Sequence, residues 1–515
     1  MDAFNLSESL LQVVLIGISA LIFYIYLTWD FDYWKKQGIN YATPLPLVGT
    51  FRPLWTQTQY EQDFELHKKL GRVFGGFEGS NPILHVADPD IIKQVFVKDF
   101  SSFVDRRYVA AIERDPMLKR TPAMLRGEDW KITRAAFTPA FSSGKIKTMI
   151  HMIEDILKVF IPSLDKYVES KKPVDIRKVF SAFTLDVVAT CAFGLSTNTI
   201  ENPNNDFSRH VGAVLHDPGS IVTLFIIFPS LVTIFGWLID IAVKEPLDFF
   251  KNAATRVIDI RLANKSTQRT GDFVDCLLEA KAKAEQSSDK KNEKILDKNT
   301  IIAQCVQFTA AGLETTATTL SMIAYSLAKD SHCQEKLIKE IDELLVAKMG
   351  IIKYEDVASL PYLEMVINEG LRFYSPNYRI DRTCVADEFK LSNGIVLKKG
   401  MMVIASAYTI HHDEKYFPNP EVFDPERFSA ENKEKINMNA YMPFGLGPRN
   451  CPAMRFAIIE TKLGLFYMLS KYRFKTCPQT ETPVQFFRNR STLLSPISVT
   501  LLLEARNDQP QQLIL

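Results

Sequence analysis

The chain has 515 residues, 46% of them hydrophobic and 23% charged, with a formal net charge of +1. That is enough to bury a large core, with room for two or three domains, and the balanced charge excludes an electrostatic case for a nucleic-acid partner. Seven cysteines, Cys191, Cys276, Cys305, Cys333, Cys384, Cys451 and Cys477, are scattered, odd in number and without a C-x-x-C pair; this excludes a disulfide framework and a structural zinc site, and points to a reducing compartment.

Between Glu8 and Asp30 lie 21 uncharged residues. At about 1.5 Å per residue a helix of this length crosses the ~30 Å hydrocarbon core. Tyr24, Tyr26 and Trp29 stand at its far end, where amphipathic aromatics favour the interface. With no basic leading region and no clear small-residue cleavage site, residues 1–29 read as a membrane anchor rather than a cleaved signal. Asp2 and Glu8 precede the span and Lys35 and Lys36 follow it, which places the bulk of the chain in the cytosol. Pro44, Pro46 and Gly49 make 30–49 a stiff proline-rich hinge, leaving 50–515 as the catalytic domain.

Helical periodicity dominates from about Asp90 onward, and strand-like pieces such as "PILHVA" and "SPISVTLLLEA" are short. Asn393-Gly394 signals a hairpin. Asp297 or Thr300 is expected to cap the long helix that follows the charged loop 281–300. The class is mainly α with a small β component. Segment 221–243 imitates a second span, but Pro229, Gly236 and Asp240 argue for an apolar surface that dips into a bilayer or covers a lipophilic cavity.

The chemistry concentrates in "YMPFGLGPRNCPAMRF", residues 441–456. Pro452 suits the first position of a helix, so Cys451 is expected at the N-cap, where free N–H groups and Arg449 favour a thiolate. Gly445 and Gly447 permit a tight turn and close approach. Such a thiolate serves as a nucleophile or a metal ligand, and none of the histidines is near in sequence to act as a base. In "AAGLETT", residues 310–316, small residues open a window on a helix, with Glu314 and Thr315 beside it. Glu369 and Arg372 are spaced i,i+3, and Trp130 and Arg134 i,i+4.

Phe444, Gly447, Arg449 and Cys451 spell F-x-x-G-x-R-x-C, which resembles the haem-binding signature of the cytochrome P450 superfamily. The resemblance runs in order along essentially the whole chain and is most similar to microsomal, detoxification-type monooxygenases of insects. It implies the P450 fold behind an N-terminal transmembrane helix. It implies haem b with Cys451 as axial ligand of the iron, in a turn shaped by Phe444 and Gly447, and propionates held by Trp130, Arg134, Arg382 and Arg449. Glu314 and Thr315 become the acid and alcohol of oxygen activation. Arg427 of "FDPERF" joins Glu369 and Arg372 in a buried structural charge cluster. Phe308, Ala311, Ser375 and Tyr378 are implied substrate contacts, together with the loop 108–126. Ala453 replaces the family's usual glycine.

The implied reaction inserts one atom of O₂ into lipophilic small molecules: xenobiotics, plant toxins, insecticides, or endogenous lipids and hormones. Electrons come from NADPH through NADPH–cytochrome P450 reductase, with cytochrome b5 as an accessory partner, at the endoplasmic reticulum membrane. Lys131, Lys145, Lys147 and Lys462 are expected on a basic docking face. The alternative is a haem-thiolate protein without O₂-dependent turnover, a hydroperoxide isomerase or a ligand-sequestering protein; the intact Glu314-Thr315 pair argues against it.

Overall fold

The computed structural model describes residues 2–50, 57–215, 225, 231–263, 271–286, 296–488 and 492–514. The helices used below are α1 (Asp2–Thr28), α2 (Gln59–Leu70), α3 (Gly127–Phe137), α4 (Ser143–Ser163), α5 (Ile176–Phe193), α6 (Trp237–Ala263), α7 (Phe273–Gln286), α8 (Lys298–Lys329), α9 (Ser331–Ala347), α10 (Pro361–Phe373) and α11 (Met454–Lys471). The strands are β1 (Val73–Glu78), β2 (Asn81–Val86), β3 (Val174–Asp175), β4 (Arg379–Thr383), β5 (Glu388–Lys390), β6 (Val396–Lys398), β7 (Met402–Ser406), β8 (Tyr472–Lys475) and β9 (Thr500–Ala505).

Helix α8 is the spine. Asp297 caps it, its carboxylate accepting the Thr300 N–H at 2.8 Å, as the sequence predicts. The helix is apolar on nearly every side and is buried along most of its length, the pattern of a helix enclosed by others. It packs against α5, α10 and α11 in the main core, where Leu320, Ile323 and Leu327 are fully buried. A second core lies under a four-stranded sheet of order β1-β2-β7-β4. In it β2 and β7 run parallel, Leu84 opposite Val403, and the other pairs are antiparallel. The Asn-Gly turn joins β5 to β6, with Gly394 at φ +89°, a conformation that favours glycine.

Helix α1 contains Leu10–Thr28, with mean hydropathy 2.4 and no part of it buried against the protein. Of segment 221–243, residues 221–224 and 226–230 lie outside the described residues. Its remainder forms a short helix, Leu231–Phe235, and the start of α6, which carries Asp240, Lys244 and Glu245. One helix among the described residues is long and apolar enough to cross a membrane, and it is α1.

The start of the segment expected as a stiff hinge is docked on the body. Trp34 is fully buried, its indole N–H donates to the Gly76 carbonyl at 3.0 Å, and a Cβ on Gly75 would strike its ring at 2.2 Å. Phe31 packs on Phe77, and the Tyr33 hydroxyl donates to the Val396 carbonyl. A large aromatic outweighs the local stiffness of the prolines, so the body of the fold begins near Phe31.

Candidate active site

Cys451 sits in a turn rather than at a cap. Helix α11 starts at Met454 with Ala453 as its N-cap, because 452–453 turn before the helical ladder begins. The helix end still reaches the sulfur through the Ala453 N–H. Burial pushes the thiol up, opposed by that N–H and by Arg134 and Arg106, so a bound cation is what would complete the thiolate. Ala453 has φ −91°, so alanine sits there without backbone strain. The Cys451 N–H donates to the Phe444 carbonyl at 2.9 Å, closing the turn. Gly447, at φ +71°, is needed for approach to protein: a Cβ would lie 1.8 Å from the Phe96 carbonyl oxygen.

Around this turn four arginines converge, three of them expected from sequence. Arg449 is buried, donates to the Leu125 carbonyl at 2.6 Å and lies 3.8 Å from Asp105. It stacks 4.3 Å over the Trp130 ring, so the cation–π partner of Trp130 is Arg449. Arg134 instead donates to the Asn450 side chain at 3.0 Å. Arg382 on β4 is buried over the Phe96 ring and donates to the Asp381 carbonyl. Arg106, the fourth, donates to the Arg449 carbonyl at 3.1 Å. Sequence gave it no distinguishing spacing; it is one of two adjacent arginines in a loop, and Arg107 turns away to pair with Glu78.

The charges in this cradle do not balance. Burial and then Arg106 pull Arg449 down to about 9, against Asp105 and Asp381. Arg382 is pulled well below its usual range by burial, Arg106 and Arg449. The Nε atoms of Arg382 and Arg449 are buried without a hydrogen-bond partner. Four guanidiniums against two aspartates leave a surplus that two ionised carboxylates would match, and arginine forks suit carboxylates. The residues present therefore fit a haem with two propionates beside the one cysteine of this turn.

Helix α8 presents a bare patch. Ala311 is exposed and Thr315 half-buried in mid-helix, while Thr309, Leu313 and Thr316 are buried. The Thr315 hydroxyl donates to the Ala311 carbonyl at 2.8 Å. Gly312 serves packing: a Cβ there would meet Val188 of α5 at 2.9 Å. The window is thus Ala311 and Thr315, with no break in the helix. Glu314 does not share it. The carboxylate is buried and bound to Arg177 of α5 at 2.9 Å, because successive residues on a helix point about 100° apart. Arg177 was invisible in sequence, one basic residue in a helical run.

Of the four single residues implied as substrate contacts, Phe308, Ala311, Ser375 and Tyr378, Ala311 alone is exposed. Phe308 is buried among Phe141, Phe273 and Phe456. Ser375 and Tyr378 are also buried, Tyr378 against Tyr60.

The three residues of the implied charge cluster lie together, Glu369 and Arg372 fully buried and Arg427 partly so. Arg372 binds Glu369 at 2.7 and 2.8 Å, and Arg427 Nε lies 3.4 Å from Glu369. The Asp424 N–H donates to the same carboxylate. The expected docking lysines fare less well. Lys462 is buried, donating to the Ala358 carbonyl and paired with Glu364, so it presents no surface charge. Lys131, Lys145 and Lys147 pair with Glu128, Glu279 and Glu355.

These features define a mainly helical enzyme scaffold: one cysteine turn, an arginine cradle for a dicarboxylate and a buried helix with a bare face. The chain belongs to the cytochrome P450 family, whose sequence profile matches residues 40–503. It is 37% identical over 504 residues to cytochrome P450 3A16 of Mus musculus, covering 96% of each chain. It is 35% identical to cytochrome P450 3A6 of Oryctolagus cuniculus over 498 residues, again 96% of each. Similarity to lithocholate 6-beta-hydroxylase of Mesocricetus auratus is 35% over 503 residues, 96% of this chain and 97% of that one. The protein is an oxidoreductase, a monooxygenase of this family.

Proposed function

We propose that the chain binds haem b through Cys451 and hydroxylates lipophilic small molecules with O₂. The haem, when bound, supplies oxygen activation, and donation from a thiolate ligand favours O–O cleavage. Trp130, Arg134, Arg382 and Arg449 orient it through its carboxylates, with Arg106 as an added member. Thr315 holds a proton donor at the bare face of α8. Arg177 keeps the Glu314 carboxylate buried behind that face, turned away from the Thr315 hydroxyl. The observation that carries this reading is the buried, charge-unmatched arginine cradle beside a lone cysteine.

The relative named for hydroxylating lithocholate performs a reaction of the kind proposed here. Ile234, Phe235, Trp237 and Ile241 form an exposed apolar patch at the start of α6, which suits contact with the bilayer that α1 anchors. Lipophilic substrates would then reach the body from the membrane. This fits residence in the endoplasmic reticulum membrane with the body that begins near Phe31 on the cytosolic side. Electrons would come from NADPH through the flavoprotein reductase, with cytochrome b5 as accessory. Exposed ion pairs such as Lys147–Glu355 are worth little, so those lysines remain exchangeable to an acidic partner.

The test is a ferrous–carbon monoxide difference spectrum of the membrane-expressed protein. A strongly red-shifted Soret band, abolished in Cys451→Ala, is expected. Folded protein without haem absorbance, or a band indifferent to that substitution, overturns the proposal.

A further inference from the structure

The turn that carries Cys451 is rooted at Met442, and Met442 is held by a histidine. Its N–H donates to Nε2 of His411 at 3.0 Å, and its carbonyl accepts the Gly445 N–H at 3.0 Å. From there the Phe444 carbonyl takes the Cys451 N–H. His411 ends the short helix Ala407–His411 after β7 and is fully buried. Its ring packs beside Tyr441 and Phe417. On its other side, the His411 carbonyl accepts from Arg372 Nη1 at 2.8 Å, and Arg372 is clamped by Glu369. One residue thus joins the charge cluster to the cysteine turn, by its backbone on one side and its ring on the other. Burial, with Arg372 and His412 nearby, keeps the imidazole neutral. A neutral ring has one acceptor nitrogen, and here that nitrogen faces the loop. Tyr441 adds a second fastening, its hydroxyl reaching Asn368 of α10 at 3.0 Å.

We propose that His411 is a positioning residue that holds the cysteine turn in register with the charge cluster and so preserves thiolate ligation. The proposal rests on Cys451 being the haem ligand. Without the acceptor, the Met442 N–H is buried and unsatisfied, since Met442 itself is 1% exposed. The turn then gains by shifting to find a partner, and the sulfur moves with it.

The test uses full-length holoprotein and follows the rate at which the red-shifted ferrous–carbon monoxide band gives way to the unshifted band of a haem without thiolate. His411→Leu removes the acceptor; His411→Gln keeps one at similar reach. Gln334→Leu serves as a control, since Gln334 is equally buried and bonds both backbone groups of Phe474 in a distant part of the core. An orphaned buried donor implies conversion about tenfold faster in His411→Leu, with His411→Gln close to wild type. Gln334→Leu lowers the unfolding temperature without accelerating conversion. Equal rates in the Leu and Gln variants, or a Gln334→Leu protein that converts as fast, overturn the proposal. If His411→Leu yields no holoprotein, His411→Gln decides: a wild-type rate supports the role and a fast rate refutes it. A wild-type spectrum without the red-shifted band, or one surviving Cys451→Ala, refutes the ligand assignment instead and is read separately.

Discussion

At the residue scale, the Glu314–Arg177 pair is where sequence and structure part most usefully. The adjacency of Glu314 and Thr315 is legible in sequence, and so is their presence on one helix. What is not legible is the buried partner of Glu314, because Arg177 lies 137 positions earlier. A buried pair costs desolvation, and breaking it from one side leaves an uncompensated charge. Arg177→Leu is therefore expected to lower stability by roughly 3 kcal/mol, while Arg177→Leu with Glu314→Leu recovers most of that loss. Denaturant unfolding of the three proteins checks this; a double variant no better than the single would refute a dominant charge-pair role. Thr315→Val tests the proposed proton donor. It keeps volume and removes the hydroxyl, so product formed per NADPH consumed should fall at least about tenfold with the haem spectrum unchanged. Unaltered coupling would remove Thr315 from the mechanism.

Elements were easier to read than their docking. Apolar periodicity, the Asp297 cap and the Asn-Gly turn are local signals, and each appears where the sequence puts it. The glycine of "AAGLETT" misleads because a missing side chain looks the same in sequence whether it faces a ligand or another helix. Here it faces Val188, a stiff β-branched residue of α5. Gly312→Ala gains about 1 kcal/mol of helix propensity but overpacks this contact at roughly 1–3 kcal/mol. The net effect is expected to be a loss near ~1 kcal/mol, relieved by Val188→Ala in the same chain. Thermal unfolding of the single and double variants decides it, and a stabilised Gly312→Ala protein would show that α8 and α5 have slack. The docked hinge has the same logic in reverse. Prolines announce an extended connector, yet only tertiary structure reveals the slot that β1 leaves at Gly75 for Trp34.

For the whole molecule, the sharpest expectation concerns acid. His67, His85, His411 and His412 are among the buried histidines, and their surroundings come from scattered parts of the chain, so none of this could be read from sequence. Burial first, then Arg379, holds His67 at about 4 despite a hydrogen bond to the Gly71 carbonyl. Burial and Arg372 hold His412 at about 3, and His85 and His411 also lie well below the usual value. A lowered histidine binds its proton more readily when unfolded. Stability from this source is therefore complete above the unfolded value near ~6.5 and is lost as pH falls toward the folded value. For His67 alone the loss amounts to roughly 3 kcal/mol by the lower end of that window. Buried Glu460, whose carboxyl burial pushes well up, works in the opposite direction, so the total slope mixes signs. The difference between wild type and His412→Phe removes that mixture, since Glu460 is common to both. His412 stacks on Tyr408 at 4.1 Å and packs beside Phe373, so phenylalanine keeps the ring contacts while giving up the bond to the Tyr408 carbonyl. At pH above 7 the variant is expected to be less stable by about 1 kcal/mol. As pH drops from about 6.5 toward 4, wild type should lose stability faster, and the two curves should converge and cross. Urea midpoints along a pH series measure this directly, and parallel curves would mean that His412 is not held neutral by the fold.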